Sequence, residues 1–296
     1  MSPVDPLPRV LVGITTRNRA AILPKALDSA FAQDYPAVTV AVLDDASTDA
    51  TPGIREKYPN ARWIRHETAQ GIIESRNELM LGADATYYVS LDDDAWFLRG
   101  DEIALAVARM EAEPAVAAIA YEILSPDRPA ETPRGAPVPV SMFIGCGHIL
   151  RLSAVRSAGC YAPCPGNYGS EEKDLALRLA DRELRIERLP GVHVWHDKAW
   201  AGRDWYPLHR SGVCNELFMT LRRCPAPDVL IVLPMKLVSF FWFWIRHPSY
   251  FPAGLAGAAL FGRHLPDGLR SRQAVRRRTF WQFFRRRSAY RPQIAQ

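Results

Sequence analysis

Tyr87-Tyr88-Val89-Ser90-Leu91-Asp92-Asp93-Asp94-Ala95 is an apolar run that stops abruptly in three carboxylates. Tyr and Val suit a pleated, buried strand, whereas consecutive Asp side chains repel one another and favour turns. The stretch therefore predicts a strand whose carboxyl end carries concentrated negative charge. Such a cluster needs a cation, a helix N-terminus or free solvent. Two carboxylates two residues apart can share one hard divalent cation, Mg2+ or Mn2+, which keeps coordination positions for phosphate oxygens. The competing reading is a solvated Asp turn that caps the helix after Gly100.

Working outward, the same pattern repeats upstream. Residues 9–16 and 38–43 are short β-branched runs ending in Arg17-Asn18-Arg19 and Asp44-Asp45-Ala46-Ser47-Thr48-Asp49, and residues 61–66 predict a third strand. Between them Ile22, Leu23, Ala26, Leu27, Ala30 and Phe31 recur on one helical face, with Pro24 tolerated in the first turn. Thr51 can cap a short helix with Pro52 at its first position, and Gln70-Gly71 leads into a helix carrying Ile72, Ile73, Leu79 and Met80.

Downstream, residues 102–113 predict a helix and 115–124 a strand, while 125–139 contains five prolines and reads as a long loop. Residues 141–151 return to the sheet, Glu171-Glu172-Lys173-Asp174 opens a helix, and 184–189 and 192–196 are expected as short strands or edges. Strands alternating with helices predict an α/β fold, a mainly parallel mixed sheet flanked by helices. In such sheets ligands bind beyond the carboxyl ends of the strands, where the polar clusters fall.

Composition divides the chain. Its 296 residues are 48% apolar and 23% charged, as in an ordered globular protein. Residues 263–296 hold ten Arg and one Asp, a local +9 that leaves the remainder of the +5 chain at −4. The basicity thus belongs to the tail. Residues 229–245 form the most apolar run, interrupted by Pro234 and Lys236. It is marginal against the roughly 20 residues a bilayer span needs, and suits a membrane-surface or re-entrant helix pair, or a partner interface. The Arg-rich tail mixes Phe and Trp with cations, favouring an anionic membrane surface through 229–291 over nucleic acid. The expected domains are 1–205, catalytic, and 206–296, a helical extension. No secretory signal is visible at the N-terminus. The five Cys (146, 160, 164, 214, 224) lack a second Cys/His pair at zinc spacing, which predicts free thiols and a reducing cytoplasm.

Six motifs then occur in order: Thr15-Thr16-Arg17-Asn18-Arg19, Asp44 to Thr51, Gln70-Gly71 with Ser75-Arg76-Asn77, Leu91-Asp92-Asp93-Asp94, Glu171-Glu172-Lys173-Asp174-Leu175 with Arg178-Leu179, and Val194-Trp195-His196. Together they resemble the family 2 glycosyltransferases, inverting nucleotide-sugar enzymes of the GT-A fold, and especially rhamnosyltransferase-like members. The resemblance covers roughly residues 8–200. It implies a UDP- or dTDP-sugar donor, a lipid-linked or polysaccharide acceptor, and a divalent metal, Mn2+ or Mg2+, at the inner face of the cell membrane. It places Thr15, Arg17, Asp45, Gly71, Arg76, Asp92 and Asp93 at the donor, with Asp45 on the imide N–H of the base. Asp94, Asp92 and His196 are the implied metal donors.

The implied general base is Glu172, which takes the proton of the attacking acceptor hydroxyl. The family commonly shows Glu-Asp here; Glu171-Glu172 departs from that pattern and leaves open whether Glu171, Glu172 or Asp174 acts. Acidic residues at a helix N-terminus are also explained by the helix dipole alone. The alternative function is a non-catalytic nucleotide-binding or membrane scaffold on the same fold. A nucleotidyltransferase is disfavoured because no Gly-rich triphosphate loop with a signature Lys is present.

Overall fold

The computed structural model describes residues 6–197 and 204–286. Among these, residues 6–160 with 183–197 form one compact unit, and 161–182 with 204–286 form another. The expected boundary at residue 205 separates two compositions. Compactness instead groups the helix that starts at Glu171 with the C-terminal helices.

The first unit is built on one nine-stranded sheet. Its strands are β1 (Val10–Thr16), β2 (Val38–Asp44), β3 (Arg62–Arg65), β4 (Tyr87–Asp92), β5 (Ala95–Phe97), β6 (Val116–Leu124), β7 (Val138–Val140), β8 (Gly147–Arg151) and β9 (Arg185–His196). They run in the order β3-β2-β1-β4-β8-β6-β9-β5, with β7 also on β9. Helices α1 (Leu23–Phe31), α2 (Ile72–Leu81), α3 (Glu102–Ala112) and α4 (Leu152–Ala158) connect them. Every residue of β1 is buried. A strand covered on both faces must be apolar along its length, which is how Val10-Leu-Val-Gly-Ile-Thr-Thr16 reads.

Register places the polar strand ends together. β1 lies parallel between β2 and β4, with Thr15 opposite Leu43 and Asp92 and Thr16 opposite Asp44. Beyond β4 the sheet becomes mixed: β8 is antiparallel to β4 and β6, β6 is parallel to β9, and β5 is antiparallel to β9.

Three local expectations are corrected. Residues 185–196 form one strand, not two, because β9 keeps pairing with β6 across a register shift while Gly191 adopts φ 81°. Thr51 does not cap a helix: it lies inside a 3₁₀ segment, Thr51–Lys57, and its hydroxyl accepts from the Arg19 N–H. The Asp cluster does not cap α3, since the Glu102 carboxylate takes the Leu98 and Arg99 amides at 3.0 and 2.6 Å.

The second unit holds α5 (Glu171–Asp181), α6 (Trp205–Arg223), α7 (Val229–Arg246), α8 (Phe251–Arg263), α9 (Leu265–Arg270) and α10 (Arg277–Arg286). Val213, Leu217, Phe218, Leu221, Trp244 and Phe261 form its core. The Trp244 indole N–H donates to His209 Nε2 at 2.9 Å, and burial lowers the His209 pKa, which keeps that nitrogen an acceptor. The outer side of α7 is an exposed apolar stripe, Ile231, Met235, Val238, Trp242 and Ile245. Most of the tail's aromatics turn inward, contrary to expectation, while Trp281 stays 39% exposed. Phe280 and Phe283 are buried, the Lys173 and Lys236 ammoniums sit 5.1 and 5.5 Å from the Phe284 ring centre, and the Trp281 N–H donates to Asp228. Of the expected membrane segment 229–291, residues 287–291 lie outside the described residues.

Candidate active site

Two loops at the carboxyl ends of β1 and β2 are tied to each other. The Asn18 N–H donates to Ser47 Oγ, and the Asn18 side-chain oxygen accepts from the Thr48 N–H at 2.8 Å. Asp44 accepts from the Ser47 N–H at 2.9 Å. Thr15 is buried at the end of β1, and Arg17 is exposed just past it. Ala46 sits at φ 60°, a left-handed conformation that costs a residue with a Cβ about 1–2 kcal/mol. Such strain concentrates where ligands are held.

Asp45 organises the approach to α2. Its Oδ1 accepts from the Gln70 N–H and meets His66 Nδ1, both at 2.7 Å, and its Oδ2 accepts from the Gly71 N–H at 2.8 Å. Gly71 has φ 93°, which a residue with a Cβ adopts only under strain. Burial alone would raise the Asp45 pKa, but the His66 and backbone hydrogen bonds outweigh it and lower it. His66 Nε2 reaches Glu78 at 2.8 Å, and its two carboxylate partners overcome burial and raise its pKa.

The Asp triplet has three different environments. Asp92 Oδ1 accepts from an Arg76 guanidinium nitrogen at 2.6 Å; Arg76 is only 2% exposed, where the helix pattern alone would have left it in solvent. Asp93 lies against Arg19 at 3.7 Å, and burial, followed by the charges of Asp94 and Asp92, pushes its pKa to about 7. Asp94 Oδ1 is 3.1 Å from His196 Nε2. The other ring nitrogen, His196 Nδ1, is buried without a hydrogen-bond partner among the described residues. Ladder register accounts for the meeting, because Ala95 of β5 pairs with His196 of β9. Asp92, Cys146 and His196 each offer a ligand atom, all within 4.8 Å of one another.

In the second unit, residues 166–170 lead into α5. The buried Asn215 side chain donates to the carbonyls of Gly166, Tyr168 and Gly169 at 2.9–3.2 Å and accepts from the Gly166 N–H at 2.8 Å. Gly169 and Ser170 both lie at positive φ, 94° and 70°. Glu216 joins Ser170, Lys173 and Lys236, and its carboxyl is held far below the usual range by the two ammoniums despite burial.

The three acidic candidates on α5 separate clearly. Glu171 and Asp174 are each 1% exposed, while Glu172 is half-buried. Asp174 is clasped by Arg178 at 2.7 Å and Arg223 at 2.6 Å, and their charges overcome burial to lower its pKa. A carboxylate so held is a poor proton acceptor, so the geometry argues against Asp174 as base.

The Glycosyl transferase family 2 model matches residues 11–151. The chain carries a family 2 glycosyltransferase domain. It is 30% identical over 118 residues to the succinoglycan biosynthesis protein ExoO of Rhizobium meliloti, a match spanning 39% of this chain and 34% of that protein. The chain thus aligns with about a third of that relative's length. Among solved structures, Staphylococcus aureus TarS in complex with UDP-GlcNAc superposes with a TM-score of 0.62 at 18% identity, covering 90% of this chain and 82% of that one. Mannosyltransferase PcManGT from Pyrobaculum calidifontis, in complex with GDP-Man and Mn2+, gives 0.59 at 19% identity, covering 96% and 81%. These likenesses show that the family 2 domain has the GT-A fold.

Two residues in or beside the family 2 domain's polar cluster escaped the sequence reading. His66 was only a strand end, and Cys146 only one of five scattered cysteines. Both become visible through partners distant in sequence, Asp45 for the first and Asp92 with His196 for the second.

Proposed function

We propose that this chain is an inverting glycosyltransferase that moves a sugar from a UDP- or dTDP-sugar to a hydroxyl of a lipid-linked or polysaccharide acceptor, working at the cytoplasmic face of a membrane. The carrying observation is the convergence of Asp92 and His196 at the carboxyl ends of the strands, with Asp94 on His196 Nε2 at 3.1 Å and His196 Nδ1 buried without a partner among the described residues. An orphaned imidazole nitrogen is costly unless something takes its lone pair. Carboxylate oxygen and imidazole nitrogen suit Mn2+ or Mg2+, so Asp92 and His196 would hold the ion, with Asp94 fixing the imidazole through Nε2. When bound, a divalent cation supplies positive charge to the departing diphosphate.

The chain's own residues do the rest. Arg76 fixes the Asp92 carboxylate. Each carboxylate oxygen has two lone-pair directions, so Asp45 Oδ2 can accept a base imide N–H besides that of Gly71. Thr15, Arg17 and Gly71 border the donor, and Asp93 faces its sugar. Glu172, the only residue of the first α5 turn that is not buried, takes the acceptor hydroxyl's proton as the oxygen attacks the anomeric carbon. The complex of TarS with UDP-GlcNAc and the role of ExoO in succinoglycan biosynthesis support the donor and acceptor classes.

The test uses the purified chain with Mn2+ and a panel of UDP- and dTDP-sugars, read first as a ligand-induced rise in melting temperature and then as transfer. Asp94→Asn and Glu172→Gln should each abolish transfer while circular dichroism stays unchanged. Full transfer by either variant overturns that residue's role.

A further inference from the structure

We infer that Cys146 is a third protein donor to the cation at Asp92 and His196, which turns the site from Mg2+ toward softer divalent ions such as Co2+ and Zn2+. The inference deepens the metal-dependent reading above and rests on it. Backbone register brings the thiol there. In the antiparallel β4–β8 ladder Leu91 pairs with Gly147, so one further step along each strand sets Asp92 beside Cys146. The β5–β9 ladder then returns His196 opposite Ala95, three residues after Asp92.

The result is a carboxylate, a thiol and an imidazole whose ligand atoms fall within 4.8 Å of one another, with Cys146 only 1% exposed. A buried cysteine is ordinarily a small hydrophobe, and Cys146 does belong to the sheet core. Packing alone, however, leaves the neighbouring His196, 8% exposed, with an Nδ1 that no described residue satisfies. A cation satisfies that nitrogen, while Asp94 on Nε2 fixes the ring's orientation, a familiar support for a metal-binding histidine.

Cysteine ligates as the thiolate, so binding breaks the S–H bond, forms a metal–sulfur bond and releases one proton to solvent. One thiolate and the Asp92 carboxylate then offset the two charges of the ion. Arg76 at 2.6 Å from Asp92 keeps the locale attractive to an anionic diphosphate. Thiolate favours softer ions and affinity rises from Mn2+ through Co2+, whereas Mg2+ prefers oxygen.

The experiment is a Co2+ titration of the full chain, followed by absorbance. The expected result is a thiolate-to-cobalt charge-transfer band in the near ultraviolet, present in the unmutated chain and absent in Cys146→Ser, which still binds cobalt. The preference for Zn2+ over Mg2+, measured by competition, should fall about tenfold or more in that variant. Cobalt-edge X-ray absorption of the unmutated chain reads the sulfur directly, whatever the folding of the variant. Cobalt bound without a sulfur neighbour, or a charge-transfer band that persists in Cys146→Ser, overturns the role of Cys146 and leaves the metal reading standing. A chain that binds neither Co2+ nor Mn2+, with or without UDP, overturns both.

Discussion

Glu172 and Asp174 stand two residues apart on α5, yet their surroundings are opposite: Glu172 is half-buried and Asp174 fully buried. Asp174 is a buried anion between two guanidiniums, and removing one member of such a cluster strands the others. Asp174→Asn should therefore destabilise the fold by about 3–5 kcal/mol, whereas Glu172→Gln should leave the urea midpoint nearly unchanged. Equal stability of the two variants would remove the distinction. His66 supplies a pH-dependent case. Its pKa is raised above 6.5 by Asp45 and Glu78, so its stabilisation is complete below 6.5 and fades as the pH rises through the raised value. The Asp45 pKa is lowered from 3.8, so its contribution is present above 3.8 and fades as the pH falls through the lowered value. The melting-temperature gap between the unmutated chain and His66→Gln should accordingly shrink as the pH rises above 6.5 and through the raised His66 value. A gap that stays constant over that rise contradicts the pairing of a charged His66 with Asp45 and Glu78.

Among the elements, legibility in the sequence followed burial. β1, β2 and β4 were readable because strands covered on both faces are unbroken apolar runs. Their polar ends marked the loops that follow them for the same reason. β9 was split by Pro190-Gly191, a pair that usually ends a strand, because its continuity comes from pairing with β6 and not from local propensity. The three-residue β5 had no signal of its own, yet its pairing is what sets His196 beside Asp94. The loop before α5 depends on α6 in the same way. Asn215 makes four hydrogen bonds to residues 166–169, far from it in sequence. Asn215→Ala would leave buried backbone groups unpaired at about 1–3 kcal/mol each, in a loop already strained at Ser170. The expected outcome is faster hydrogen exchange across 166–174 and a fall in the rate of transfer, with UDP affinity by calorimetry unchanged. An equal loss of UDP affinity would point to general unfolding instead.

At the scale of the whole molecule, the membrane attachment proposed above can rest on charge or on apolar surface. Sequence alone counted ten tail arginines. The structure commits several to the protein: Arg272 to the Leu221 and Cys224 carbonyls, Arg276 to Asp181 and Arg277 to Asp228. Each cation withdrawn forgoes about 1 kcal/mol of attraction to an anionic leaflet. The exposed stripe of α7 has no such internal claim, with Ile231 63% and Trp242 57% exposed. Helix α7 is long and apolar enough to cross a bilayer. Its inner side, however, packs Leu233, Phe240 and Trp244 into the unit's core and sends Lys236 to Glu216. Crossing would strip that ion pair and core from their partners, whereas lying in the interface keeps both and buries the stripe. Burying a large apolar side chain is worth about 1.5–3 kcal/mol, so the double variant Ile231→Glu, Trp242→Glu should weaken vesicle binding by about two orders of magnitude or more. Raising salt, which screens only the remaining arginines, should weaken it less. Sedimentation with vesicles of neutral and of mixed anionic lipid separates the two contributions. A double variant that still binds as the unmutated chain does, while salt releases both, would transfer the role from the stripe to the tail.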